Sequence, residues 1–145
     1  MLQPEQFPRY FRHIASLYHK VVCRELDIPQ LNNYFDFLLT IDRCEQQLTQ
    51  KQLAELMYID KSAMVAIVNY LFEHEFINVR LNPSDRRENF ISLAEKGKQI
   101  VSKIRKAESN IYRQMLNGID KDKISSLFET LMNIETSLKH INSTL

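Results

Sequence analysis

Three helix starts are written into this chain before any long-range contact need be considered. At each, a short polar side chain able to accept backbone N–H bonds stands between two apolar residues placed to clasp over the first turn. Leu48 and Leu53 flank Thr49, Ile59 and Met64 flank Asp60, and Ile119 and Ile124 flank Asp120. Thr49 also has Gln52 three residues on, the spacing of a reciprocal capping box. The first two starts follow each other so closely that one short helix and a tight turn must fill the space between them.

Downstream the hydrophobic period changes. Ile77, Val79 and Leu81 alternate, which puts apolar groups on one side of a strand, and Phe90, Ile91 and Leu93 make a return strand. Between them Asn82-Pro83-Ser84-Asp85 has the residues of a type I turn, with Pro83 presetting its backbone angle and Asn82 able to bond locally. Arg86 and Arg87 then make the tip basic. Helix, turn, helix, strand, basic loop, strand is the order of a winged helix-turn-helix, which sets one helix in the major groove of DNA and a loop beside it. The predicted fold class is mainly α with a small β-hairpin wing.

Helices are expected on both sides. Phe11, Ile14, Leu17, Tyr18, Val21 and Val22, after Pro8, recur at spacings of three and four, and this helix should fade near Asp27-Ile28-Pro29 because the residue before proline disfavours the helical basin. Leu31, Tyr34, Phe35, Leu38 and Ile41 predict a second helix, running out in the polar stretch 42–47. Beyond Glu95, Ile100, Val101, Ile104, Ala107, Ile111, Tyr112 and Met115 trace a long helix that stops at Asn117-Gly118. Ile124, Leu127, Phe128, Leu131, Ile134, Leu138 and Ile141 trace a last one. The first helix and the last two present more apolar surface than one small winged helix can cover, at close to seven-residue spacing, so a partner helix surface is expected. A purely intramolecular bundle is the alternative.

Composition narrows the function classes. A chain of 145 residues fits one domain or one subunit of two coupled parts. Its only glycines, Gly97 and Gly118, cannot build a phosphate loop, which needs several closely spaced ones. A net charge of +1 means that attraction to nucleic acid must come from where the charge sits. No basic-then-apolar leader opens the chain, and no uncharged stretch approaches the ~20 residues of a membrane helix, so a soluble cytoplasmic protein is the expectation. Cys23 and Cys44 have no metal-ligand spacing, and neither a disulfide framework nor a zinc site is expected. Cys23 beside Arg24 leaves redox sensing open against the simpler reading of an inert thiol. His13 and His19 face different directions on a helix, His74 and His140 are isolated, and no nucleophile elbow or paired carboxylates accompany them. Neither an enzyme nor a cofactor is indicated.

On the capped helix at 49–57, the helix opening Asp60-Lys61-Ser62, the wing Asp85-Arg86-Arg87 and the closing Ile91-Ser92-Leu93-Ala94-Glu95-Lys96-Gly97, the chain resembles the MarR family of bacterial transcription regulators. The order and spacing match across essentially the whole chain. The resemblance implies a winged helix-turn-helix over residues 31–97 and dimerisation helices over 1–30 and 98–145. It implies a homodimeric regulator, more often a repressor, reading a pseudo-palindromic operator in double-stranded DNA. It assigns DNA contact to Lys61, Ser62, Ala63, Val65, Ala66, Asn69, Tyr70, Arg86 and Arg87, with Asp85 orienting the wing. It also implies a small aromatic or phenolic effector, near His13, Tyr18, Tyr34 and Phe35.

The chain departs from the family pattern on the reading helix. Family members commonly carry hydroxyl and basic residues where Ala63, Val65, Ala66 and Tyr70 stand here, and Lys61 is the only Lys or Arg between Asp60 and Glu75. Alanine and valine can meet a thymine methyl, but nothing here supplies the bidentate guanine contact of arginine. The alternative is a degenerate member that binds protein through this apolar face. Glu75 also replaces a usual glycine, and Ala94 a usual capping threonine for which Ser92 is a partial substitute.

Overall fold

The computed structural model describes residues 3–44 and 46–144. Its elements are α1 (Gln6–Leu26), α2 (Phe35–Arg43), β1 (Leu48–Thr49), α3 (Gln50–Leu56), α4 (Lys61–Glu73), β2 (Ile77–Leu81), β3 (Asn89–Leu93), α5 (Glu95–Met115) and α6 (Lys121–Ser143). The chain divides into two compact units, Met1–Glu108 and Ser109–Leu145. No described helix is long and apolar enough to cross a membrane.

In the first unit, α1 begins at Gln6, two residues before the predicted start. Pro8 sits in its first turn, where a missing N–H leaves no helical bond unmade. The helix ends at Asp27, which takes a left-handed conformation and returns its N–H to the Cys23 carbonyl at 3.0 Å. The predicted second helix does not run unbroken from Leu31. Pro29–Leu31 form one 3-10 turn, and α2 starts only at Phe35. Asn32 and Asn33, poor helix formers, fill the gap, while Leu31 is still fully buried.

The caps form as the spacing predicts. Thr49 accepts the Gln52 N–H at 3.2 Å and the Gln52 side chain takes the Thr49 N–H at 2.9 Å, closing the capping box. Leu48–Thr49 also form a strand that the sequence reading did not contain, pairing Leu48 with Ile91 and Thr49 with Phe90. The sheet order is β1-β3-β2, antiparallel throughout. Along β2, Ile77 faces Leu93 and Val79 faces Ile91, but Leu81 faces Asn89 at the wing's rim and is exposed. The predicted apolar side of that strand thus ends one position early.

The core of this unit gathers one layer from each helix against the sheet: Leu38, Leu53, Met64, Leu71, Ile77 and Ile104 are almost completely buried. Each contributes on the order of 1.5–3 kcal/mol. The second unit is simpler. Its helix stop is Gly118 at φ 81°, and the Asp120 carboxylate accepts the Asp122 and Lys123 N–H groups at 2.8 and 3.4 Å to open α6. No described residue of α6 is buried.

Candidate nucleic-acid interface

The site is built on α4 and the loop between β2 and β3. Asp60 Oδ1 accepts the N–H groups of Ser62 and Ala63 at 2.9 and 3.0 Å, fixing where α4 starts. Met64, Val68 and Leu71 point inward, so the helix is held along one stripe and shows another. That outer stripe carries Lys61, Ser62, Val65, Ala66 and Asn69, all exposed, with Ala63 half-buried at its flank.

Tyr70 departs from this set. Its hydroxyl donates to the Gln30 carbonyl at 2.9 Å, and its ring lies between Tyr34, with centroids 4.6 Å apart, and His74, 4.1 Å away. It ties α4 to the Pro29–Leu31 turn. Its partner is forty positions away in sequence, so the family resemblance that grouped Tyr70 with the DNA-facing positions carried no sign of this bond.

The loop also closes differently from the predicted turn at Asn82-Pro83-Ser84-Asp85. There the Asn82 side chain accepts the Ser84 N–H at 2.9 Å, while the hydrogen-bonded turn is Asp85-Arg86-Arg87-Glu88, its Glu88 N–H on the Asp85 carbonyl at 3.0 Å. Pro83 stands at the second position of the earlier segment only, whereas the later turn places both arginines at its two central positions. Buried Asn82 braces the base, giving its N–H to the Glu88 carbonyl at 3.0 Å and its amide to the Glu88 carboxylate at 3.4 Å. Glu88 was not singled out in the sequence, because its partner lies across the loop.

At the tip, Asp85 accepts the Arg87 N–H at 3.0 Å and the Arg87 guanidinium at 3.2 and 3.4 Å. The Arg87 backbone N–H first, and its side chain second, hold the Asp85 carboxyl below the usual range. Arg86 is exposed and has no ion pair among the described residues. The tip therefore presents one steered cation and one free cation.

Beneath α4, Lys96 donates to the His74 carbonyl at 2.8 Å with its ammonium 4.5 Å from the Phe76 ring centroid, satisfying a terminal carbonyl of the helix. Ser92 makes no side-chain hydrogen bond among the described residues, so Ala94 leaves the start of α5 without a hydroxyl cap.

The four residues implied for an effector have different surroundings. Phe35 is buried, Tyr34 stacks on Tyr70, and His13 lines a cavity of about 300 Å³ with Gln6, Arg9 and Tyr10. Tyr18 instead lies within electrostatic reach of Glu108, and burial first, then that carboxylate, push its hydroxyl up. Burial also pushes the Glu108 carboxyl up, against the lowering influence of Arg43 and Arg105. The Cys23 sulfur lies 3.4 Å from His19 Nε2, and burial raises its thiol, which disfavours the reactive thiolate. Among the described residues, no group of three His, Cys, Asp or Glu side chains is placed to hold a metal ion.

Residues 34–89 match the model of the MarR family. The uncharacterized HTH-type transcriptional regulator YvnA of Bacillus subtilis (strain 168) is 21% identical over 117 residues, which cover 79% of this chain and 71% of that protein. Among solved structures, the transcriptional regulator SlyA superposes with a TM-score of 0.81 at 22% identity, over 92% of this chain and 94% of that one. A MarR transcriptional regulator from Methanosarcina mazei Go1 does so with a TM-score of 0.81 at 20% identity, over 93% and 98%. At these identities the structures establish the fold.

Proposed function

Residues 34–89 of this chain belong to the MarR family, and on that premise we propose that it is a DNA-binding transcription regulator acting as a homodimer on a pseudo-palindromic operator. The carrying observation is the wing tip, where Asp85 steers Arg87 and Arg86 is exposed with no ion pair among the described residues. Helix α4, with Lys61, Ser62, Ala63, Val65, Ala66 and Asn69, enters the major groove, and Tyr70 seats that helix. Arg86 and Arg87 enter the adjoining minor groove, whose negative potential attracts guanidinium groups.

The dimer reading draws on apolar groups left exposed in the single chain: Phe7, Phe11, Ile14 and Leu17 on α1, and Leu127, Phe128, Met132, Leu138 and Ile141 on α6. A two-fold dimer puts the two reading helices on half-sites about one DNA turn, roughly 34 Å, apart. The protein works in the cytoplasm as a repressor, and a small aromatic or phenolic effector releases it by binding one spacing of those helices better than the other.

Gel retardation with the DNA upstream of the protein's own coding sequence, at two salt concentrations, tests the reading. Retardation that weakens with salt is expected, and replacing both Arg86 and Arg87 by alanine should reduce the slope of log affinity against log salt by about two. Unchanged binding in that double variant rejects the wing assignment. A folded dimer that retards no DNA at low salt favours the second reading, a protein-docking module, for which the exposed Tyr58, Val65, Phe72 and Leu81 speak.

A further inference from the structure

Resting on α4 as the major-groove reader, we infer that this chain selects A·T-rich half-sites, with Asn69 reading adenine and Val65 and Ala66 reading thymine methyl groups. The argument is one of chemical inventory. Guanine shows two acceptors in the major groove and is read by the forked or multiple donors of arginine and lysine, while cytosine shows an amino donor and is read by a carboxylate. Ser62, Val65, Ala66 and Asn69 on the outward stripe include neither type.

The charged groups at the ends of α4 are otherwise placed. The Asp60 carboxylate is committed to the Ser62 and Ala63 N–H groups. Glu73 is the last residue of the helix, one turn beyond Asn69 and furthest of the exposed charged groups from its N-terminus. Lys61 opens the helix, where a flexible ammonium reaches a backbone phosphate, a contact that positions without carrying sequence information.

What remains on the stripe is selective. A carboxamide pairs bidentately with adenine N6 and N7, a methyl surface complements the C5-methyl of thymine, and the Ser62 hydroxyl serves any base. Val65 is 40% exposed, so part of its apolar surface is open to a partner. The wing favours the same sequences independently. A-tracts narrow the minor groove and deepen its negative potential, which suits the exposed Arg86.

The test uses the full-length chain. Duplexes selected from a random library are titrated by fluorescence anisotropy, first intact and then with each half-site thymine replaced by uracil, which removes only the C5-methyl. Enriched half-sites should be A·T-rich, and uracil at one or two positions should weaken binding about fourfold, the worth of one buried methyl. Asn69→Ala, at an exposed position, should lose roughly tenfold discrimination at one adenine with its helical circular dichroism unchanged. Lys61→Gln should lower the salt slope by about one without altering base preference.

Tight binding to G·C-rich half-sites, indifferent to uracil, overturns the inference and leaves DNA binding standing. A shift of preference away from guanine in Lys61→Gln does the same, since it makes that lysine a base reader. Failure to enrich or bind any duplex at low salt overturns both the inference and the function beneath it.

Discussion

Glu75 holds a conformation that only glycine adopts freely. Its φ is 63°, and its N–H meets the Phe72 carbonyl at 2.9 Å while the next N–H, of Phe76, meets Leu71 at 2.9 Å. This is the paired closure of a Schellman motif, whose left-handed position is usually glycine because a Cβ there meets the following carbonyl. Glu75→Gly should therefore stabilise the fold by about 0.5–1 kcal/mol, read as a higher urea midpoint at constant slope. An unchanged or lower midpoint would show that the backbone carries no cost there. Gly97 predicts the opposite sign. A Cβ built on it would lie 2.1 Å from the Phe76 carbonyl oxygen, which already accepts the Ala94 N–H at 3.0 Å. Gly97→Ala must push α5 off β2 or break that bond, at a cost of roughly 1–3 kcal/mol by overpacking; a calorimetric melt at the wild-type temperature counts against this close approach. The sequence marked both residues, Glu75 as a departure from glycine and Gly97 as part of a motif. It gave no reason for either, because Glu75's lies in the left-handed backbone that closes α4 and Gly97's in the Phe76 carbonyl, a neighbour in space.

Among elements, what could be read from the sequence was what closes within one turn. Thr49, Asp60 and Asp120 declare their helices because cap and capped N–H lie two or three residues apart. The strand Leu48–Thr49 was invisible, since two residues carry no period and their partners are Phe90 and Ile91. The exposed positions of α4 came from the family resemblance, whereas Tyr70's bond to Gln30 and the Glu88 brace needed the folded chain. The bare start of α5 yields a prediction of this local kind. Ala94→Thr supplies an acceptor for the first-turn N–H groups and should add about 1 kcal/mol, measured by urea denaturation; no gain would mean those groups are already satisfied. The α1–α5 contact yields another. Glu108's raised folded-state pKa, caused first by burial, means its contribution is fully present below the ordinary glutamate value and is lost as pH rises through the folded value. Glu108→Gln keeps the size of the side chain without the charge. It should be more stable than the wild type at neutral pH, with the difference vanishing in acid, as followed by urea midpoints across pH. A pH-independent difference would remove titration of Glu108 as the cause.

At the scale of the whole molecule, the unfinished business is apolar. Phe7, Phe11, Ile14 and Leu17 fall on one face of α1 at spacings of three and four and are all exposed, Ile14 at 57%. A monomer gains nothing from displaying such a stripe, and exposed apolar area of this continuity marks an association surface. No charge interrupts it at those positions, so one carboxylate placed in its middle is a sensitive probe: buried without a partner, a charge opposes association strongly. The single chain leaves Ile14 in solvent, so Ile14→Glu has little to disturb within a folded subunit. Sedimentation equilibrium should find the wild type dimeric and Ile14→Glu monomeric, with helical circular dichroism retained. Because each subunit reads one half-site, the variant should also lose the combined grip of two, weakening operator binding by on the order of 10²-fold or more. A variant that stays dimeric would move the interface off this stripe, and a monomeric variant with undiminished operator affinity would sever DNA binding from dimerisation.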